Sequence, residues 1–177
     1  LIDANWGEST DVVYKFVSQA RSPVLLPSHG RGVKASDKPM GTWAVKPGEK
    51  VGLNHRIRKS TEHRSPVRHV LFDTNFWKSF VHARLAVAAG DRGCLSLYGR
   101  TDTSRPIPAT EHRLLAEHLR AEDRTLVEAE GRKVHEWRLK PGGPDNHWFD
   151  CLVGAAVAAS MDGCVLPEHR PVAKPAR

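Results

Sequence analysis

Apolar positions along the chain fall into short runs that alternate with helical stripes, the order expected of an α/β fold. Leu1-Ile2-Asp3 reads as the end of a buried strand. Ser9 and Thr10 are candidate N-caps, Asp11 lies in the first turn where the helix dipole favours a carboxylate, and Val13, Phe16 and Val17 recur at spacings of three and four; they predict a helix to about Ala20. Val24-Leu25-Leu26 predicts a short strand closed by Pro27, followed by a basic, glycine-containing loop. From Trp43 to Arg68 the pattern is irregular and basic, either a short strand and hairpin or a surface excursion. His69-Val70-Leu71-Phe72 predicts a buried strand ending in Asp73-Thr74-Asn75, and Trp77, Val81, Leu85 and Ala88 mark one face of a helix from Phe76 to Ala89. After Gly90-Asp91-Arg92-Gly93, Cys94 to Tyr98 alternates as a strand, and Thr110 is a candidate cap for a helix carrying Leu114, Leu115 and Leu119. Thr125 to Glu130 and Lys133 to Lys140 form a predicted hairpin around Gly131-Arg132. Pro141-Gly142-Gly143-Pro144 then breaks the chain, and Asp145 or Asn146 caps a last helix through about Met161.

Composition narrows the class. With 177 residues, 40% hydrophobic and 27% charged, the chain suits one soluble core, and no apolar run approaches the roughly 18 to 20 residues that span a bilayer. Residues 1–164 are expected to form one domain and 165–177, rich in Pro and charge, a disordered tail. Lys and Arg number 27 against 20 Asp and Glu, a net charge of +7 that favours an anionic partner, nucleic acid before membrane. Much of the basic surplus sits in Arg31, Lys34 and Lys38, in Arg56, Arg58 and Lys59, and in His63, Arg64 and Arg68. Cys94, Cys151 and Cys164 contain no C-x-x-C pair and follow no secretory segment, which argues against a disulfide framework or a cysteine zinc site and for a cytosolic setting.

The candidate chemistry is acidic. Asp150 sits among Phe149, Leu152, Val153, Ala156 and Val157, with Asn146 at i−4 and Gly154 at i+4, so its own helix supplies no cation. It is either a water-facing residue or secondary cap, or a metal ligand turned toward the sheet. Asp3, at the C-terminal end of a strand, lies where α/β folds gather ligands. Carboxylates with waters and substrate phosphates suit Mg²⁺ or Mn²⁺ better than softer metals. Asp73 is a helix cap or an outer metal group, Asp145 an N-cap, and Lys78 a phosphate contact or a solvated charge. The pairs His63/His69 and His112/His118 are spaced poorly for zinc.

Three motifs carry a resemblance: Ile2-Asp3-Ala4-Asn5 with Val13-Tyr14-Lys15-Phe16; Phe72-Asp73-Thr74-Asn75-Phe76-Trp77-Lys78 with Arg84-Leu85; and Asp145-Asn146-His147-Trp148-Phe149-Asp150-Cys151 before an alanine-rich helix. Over roughly residues 1 to 162 the chain resembles the nuclease domain of tailed-phage terminase large subunits, lambda-like branch. The last motif is similar to the family's Asn-Glu-x-x-Asp-Cys ending, with His147 at the Glu position. The resemblance implies a ribonuclease-H-like mixed sheet flanked by helices and lacking its first strands. It implies a two-metal endonuclease that cuts concatemeric double-stranded DNA during packaging, in the host cytoplasm at the assembling capsid. Asp3 and Asp150 would be catalytic and metal-binding, Asp73 a further metal residue, and Arg31, Lys34, Arg56, Arg58, Lys59 and Lys78 the DNA contacts. Implied partners are the terminase small subunit, the portal and an upstream ATPase domain, with no membrane partner. Asp3 matches either the acid of the family's fourth strand or that of its first, the latter making Asp73 the middle acid; the helix directly after Asp3 favours the fourth. Competing readings are a non-catalytic nucleic-acid-binding or packaging-assembly module on the same fold, and a transposase or resolvase core.

Overall fold

The structure, a computed structural model, describes residues 1–5, 7, 9–60, 66–97 and 112–164. In chain order the elements are β1 (Ile2–Asp3), α1 (Ser9–Ala20), β2 (Pro27–Arg31), a 3-10 turn (Met40–Thr42), β3 (Lys50–Gly52), β4 (His55–Lys59), β5 (Arg68–Asp73), α2 (Thr74–Leu85), α3 (Arg113–Leu119), β6 (Glu122–Ala129), β7 (Arg132–Leu139) and α4 (His147–Met161). A five-stranded mixed sheet has the order β1-β2-β5-β4-β3, and β6-β7 forms a separate hairpin. Strands β1, β2 and β5 run parallel, whereas β4 is antiparallel to both β5 and β3.

Register sorts the side chains onto two faces, because neighbouring partners project to the same side and successive residues to opposite sides. Asp3 pairs with Ser28 and Ser28 with Val70, so Asp3 shares a face with Val70 and Phe72. There α2 and α4 bury Trp77, Val81, Phe149, Val153 and Val157 against the sheet. His29 pairs with Leu71 and Arg58 with His69, placing these on the opposite face, where α1 packs through Tyr14 and Val17. The hairpin is tied to α2 by Asn75, which accepts the Trp137 N–H (3.1 Å) and donates to the Val33 carbonyl (3.1 Å), and by Trp137 Nε1, which donates to Ser79 Oγ (2.9 Å).

Several expectations shift. The strand expected at Val24–Leu26 lies at Pro27–Arg31, and Val24 is 78% exposed. Pro27 opens the strand, where a missing N–H costs no ladder bond. The polar composition of β2 hid it. A Cβ on Gly30 would approach Thr74 Cγ2 to 2.5 Å, so glycine is required where β2 passes under α2. No strand forms over residues 94–97; Leu95 N–H instead donates to the Arg84 carbonyl at the end of α2 (3.0 Å), and α2 stops at Leu85 rather than near Ala89. The irregular basic stretch resolves into the β3-β4 hairpin. Asn146 occupies the N-cap position of α4 without a side-chain capping bond, and the Asp145 carboxylate lies 3.7 Å from His147 Nε2 instead of capping. Tyr98, Thr110, His63, Arg64 and the tail from residue 165 lie outside the described residues. No helix among the described residues is long and apolar enough to cross a membrane.

Candidate active site

Asp3 is exposed at the C-terminal end of β1, and its Oδ1 accepts the Asn5 N–H (3.0 Å). The Asn5 amide is itself oriented, since Nδ2 donates to the Gly30 carbonyl (2.7 Å). Its Oδ1 must therefore accept from His29 Nδ1 (2.9 Å), which leaves His29 Nε2 to accept the Tyr14 hydroxyl proton (2.9 Å). Burial lowers the His29 pKa, with the Asp3 charge pulling the other way. A neutral imidazole of one tautomer thus braces the turn that carries Asp3.

Asp150 lies in the first turn of α4, and the cation its own helix lacks comes from α2: Lys78 Nζ stands 3.0 Å from Asp150 Oδ1. Lys78 also pairs with Glu122 at the start of β6, and its ammonium lies 5.6 Å from the Phe149 ring centroid. Lys78 and Glu122 are buried, while the Asp150 side chain is 48% exposed. Asn146 Nδ2 donates to the same Glu122 oxygen that Lys78 engages, which explains why Asn146 does not cap α4. Partial burial pushes the Asp150 carboxyl above its ordinary value; Lys78 opposes this, and the charges of Glu122 and Asp3 add to it.

This donor set fits a hard divalent cation. Lys78 engages one oxygen of Asp150 and Asn5 one oxygen of Asp3, and among the described residues no bond engages the second oxygen of either. Two carboxylates, with waters and substrate phosphate, are a usual complement for Mg²⁺. Among the described residues no group of three or more His, Cys, Asp or Glu side chains is placed to share an ion.

Other expected residues stand elsewhere. Asp73 caps α2, accepting from Asn75 N–H (3.0 Å) and Phe76 N–H (3.4 Å) and also from Val33 N–H (3.2 Å). By strand register it falls on the face opposite Asp3, three residues beyond Val70, and all three of these bonds use its Oδ1. Arg56, expected to contact DNA, is fully buried: its two terminal nitrogens donate to the carbonyls of Met40, Trp43 and Ala44 and to Glu49, and its Nε is buried without a partner. Lys78, expected to contact phosphate or solvent, is instead the buried partner of Glu122 and Asp150. Arg58 is ion-paired with Glu49, Arg31 lies over the Trp43 ring (5.1 Å to the centroid), and Lys34 and Lys59 are exposed. Glu122, Asn5 and His29 escaped the sequence reading. Only the proximity of Asn5 to Asp3 could have signalled one of them.

The chain matches, over residues 1–169, the family described as terminase large subunit gpA, endonuclease domain. It belongs to that family. No curated protein and no solved structure matches it. Membership in the terminase endonuclease family supports a nuclease role in DNA packaging and turns the reading away from a transposase or resolvase core.

Proposed function

We propose that this terminase endonuclease domain cuts concatemeric double-stranded DNA with Mg²⁺ or Mn²⁺ held by Asp3 and Asp150. What supports the reading is that two acids from opposite ends of the chain, one at the end of β1 and one in the first turn of α4, belong to the same side of the sheet, each with one oxygen that no bond among the described residues engages. When bound, the metal would activate an attacking water and stabilise the departing oxygen, by two ions where both are present. The chain's own residues supply the rest. His29 and Asn5 fix the Asp3 turn. Lys78 offsets part of the acidic charge and holds Asp150 by one oxygen, leaving the other to face solvent. Arg31, Lys34 and Lys59 remain available for backbone phosphates, with Arg58 partly so. The parallel pairing of β1 with β2 and its direct passage into α1 support matching Asp3 to the fourth-strand acid of a ribonuclease-H-like sheet. The portal, the terminase small subunit and the packaging ATPase are the partners this role requires, and the assembling capsid in the host cytoplasm is its setting.

The test is plasmid nicking by the full-length large subunit carrying this domain. Asp3→Asn and Asp150→Asn should each abolish Mn²⁺-dependent nicking and weaken Mn²⁺ binding by calorimetry while the fold persists. Full activity in either variant overturns the ligand assignment.

A further inference from the structure

The first turn of α4 is held from outside its own sequence. A helix leaves its first N–H groups without intrahelical partners, and the residue before it ordinarily supplies an acceptor. Asn146 stands at that position, but its amide is turned to Glu122 and makes no capping bond. The acceptor comes instead from α3: His118 Nδ1 takes the Trp148 N–H at 3.3 Å, across 30 residues of chain. The His118 ring also stacks on the Trp148 indole, with centroids 5.5 Å apart and planes 29° from parallel. His118 is buried, and its own carbonyl accepts the Ala121 N–H (3.3 Å) where α3 gives way to β6. The imidazole is therefore fixed by the fold and not by the helix it caps.

Trp148 lies two residues before Asp150, and the Asp150 N–H closes the same turn on the Asn146 carbonyl (3.1 Å). Three long-range bonds converge on this turn: Glu122 with Asn146, Lys78 with Asp150, and His118 with Trp148. The first two belong to one network, because Lys78 and Glu122 are themselves ion-paired, whereas the His118 bond reaches the turn separately and through its backbone. A metal ligand must be held to a fraction of an ångström, and the groups behind it set how tightly the ion binds. We propose that His118 is a positioning residue for the endonuclease site: through Nδ1 it caps α4 and holds the turn that presents Asp150 to the divalent cation. The inference rests on the reading of Asp150 as a metal ligand and adds to that site a residue that acts through the Trp148 backbone. A ring that only filled space beside Trp148 would be replaced well by phenylalanine. A cap needs an acceptor, so the two roles separate by substitution.

The experiment compares His118→Phe, which keeps a ring against Trp148 but no acceptor, with His118→Asn, whose Oδ1 can stand close to the place of Nδ1 without a ring. In the full chain in EDTA, hydrogen exchange followed by NMR should show the Trp148 amide exchanging about fivefold faster in His118→Phe and near the wild-type rate in His118→Asn. Calorimetry should show Mn²⁺ bound about tenfold more weakly by His118→Phe, with His118→Asn within about twofold of wild type. In plasmid nicking by the full-length large subunit, His118→Phe should raise the Mn²⁺ concentration for half-maximal rate by a like factor and change the rate at saturating Mn²⁺ little. Thermal unfolding reports whether each fold is kept. Trp148→Pro, which removes the donor at a first-turn position that tolerates proline, should weaken Mn²⁺ binding similarly and keeps the test open if His118→Phe does not fold. Wild-type Trp148 exchange or wild-type Mn²⁺ affinity in His118→Phe overturns the proposal, as does a folded His118→Asn that binds Mn²⁺ no better than His118→Phe. Asp150→Asn, run alongside, separates the two failures: unchanged Mn²⁺ affinity there overturns the ligand reading itself, whereas a loss there with none in His118→Phe overturns the His118 assignment alone.

Discussion

Lys78 shows how a single buried charge is tolerated. Its ammonium gives up water for the carboxylates of Glu122 and Asp150 and for the face of Phe149. A buried pair of this kind adds little net stability, because desolvation offsets the Coulomb attraction, but removal of one partner strands the other. Lys78→Met should therefore cost about 3–5 kcal/mol in urea unfolding, since it leaves the Glu122 carboxylate, 2% exposed, with only the Asn146 amide. Adding Glu122→Gln to Lys78→Met should recover most of that loss. A single-variant cost below about 1 kcal/mol, the range of exposed pairs, would show that Glu122 is solvated in solution. Asp150→Asn should be mild by comparison, since half of that side chain already meets water.

At the scale of elements, α2 depends on Asp73, whose carboxylate satisfies the N–H groups of Asn75 and Phe76 and ties in Val33 from the loop after β2. Burial raises the Asp73 pKa although those three N–H groups and Arg132 oppose it. Asp73→Ala should cost about 1–2 kcal/mol from the lost cap, and Asp73→Asn, which keeps an acceptor, distinctly less. Neither should change Mn²⁺ affinity by calorimetry; a loss in Asp73→Asn would restore it as a ligand. The periodic elements were legible in advance because one stripe of residues decides each of them, as Trp77 and Val81 do for α2, Phe149, Val153 and Val157 for α4, and Gly131 for the β6-β7 turn. Strand β2 was not, since its backbone pairs on both sides while Ser28, His29 and Gly30 carry no hydrophobic signal. Arg56 and Arg58 are alike in sequence and share a sheet face, yet the 3-10 turn at Met40–Thr42 and the residues after it cover Arg56, whereas Arg58 stays partly exposed beside Glu49. Of the proposed site, Asp3 and Asp150 are the residues that strand-end position and helix context single out. The Lys78–Glu122 link could not, because it joins α2 to a strand far along the chain.

Over the whole molecule, burial keeps several histidines neutral, and this sets how stability responds to pH. The pKa values of His29, His55 and His82 are all lowered, in each case mainly by burial; Asp3 opposes it at His29, the Leu53 carbonyl opposes it at His55, and Arg124 adds to it at His82. In the unfolded chain these imidazoles titrate near about 6.5, so below that pH the unfolded state binds protons that the native state refuses. Stability then falls with falling pH, by up to about 1.4 kcal/mol per pH unit for each such group. Asp73 and Asp150 act with the opposite sign, because their raised native pKa values let the folded chain take up protons before the unfolded one does. Their contribution enters only as pH drops toward the carboxylate range. Urea midpoints measured in EDTA should therefore decline from about pH 7 to pH 5 and flatten below it. His55→Gln, at a position 5% exposed, should shallow the upper part of that decline by close to one proton. A midpoint that rose as pH fell from 7 to 5.5 would mean that these histidines are charged in the folded chain. The Asn5–His29–Tyr14 brace under Asp3 would then lose the neutral tautomer that orients it.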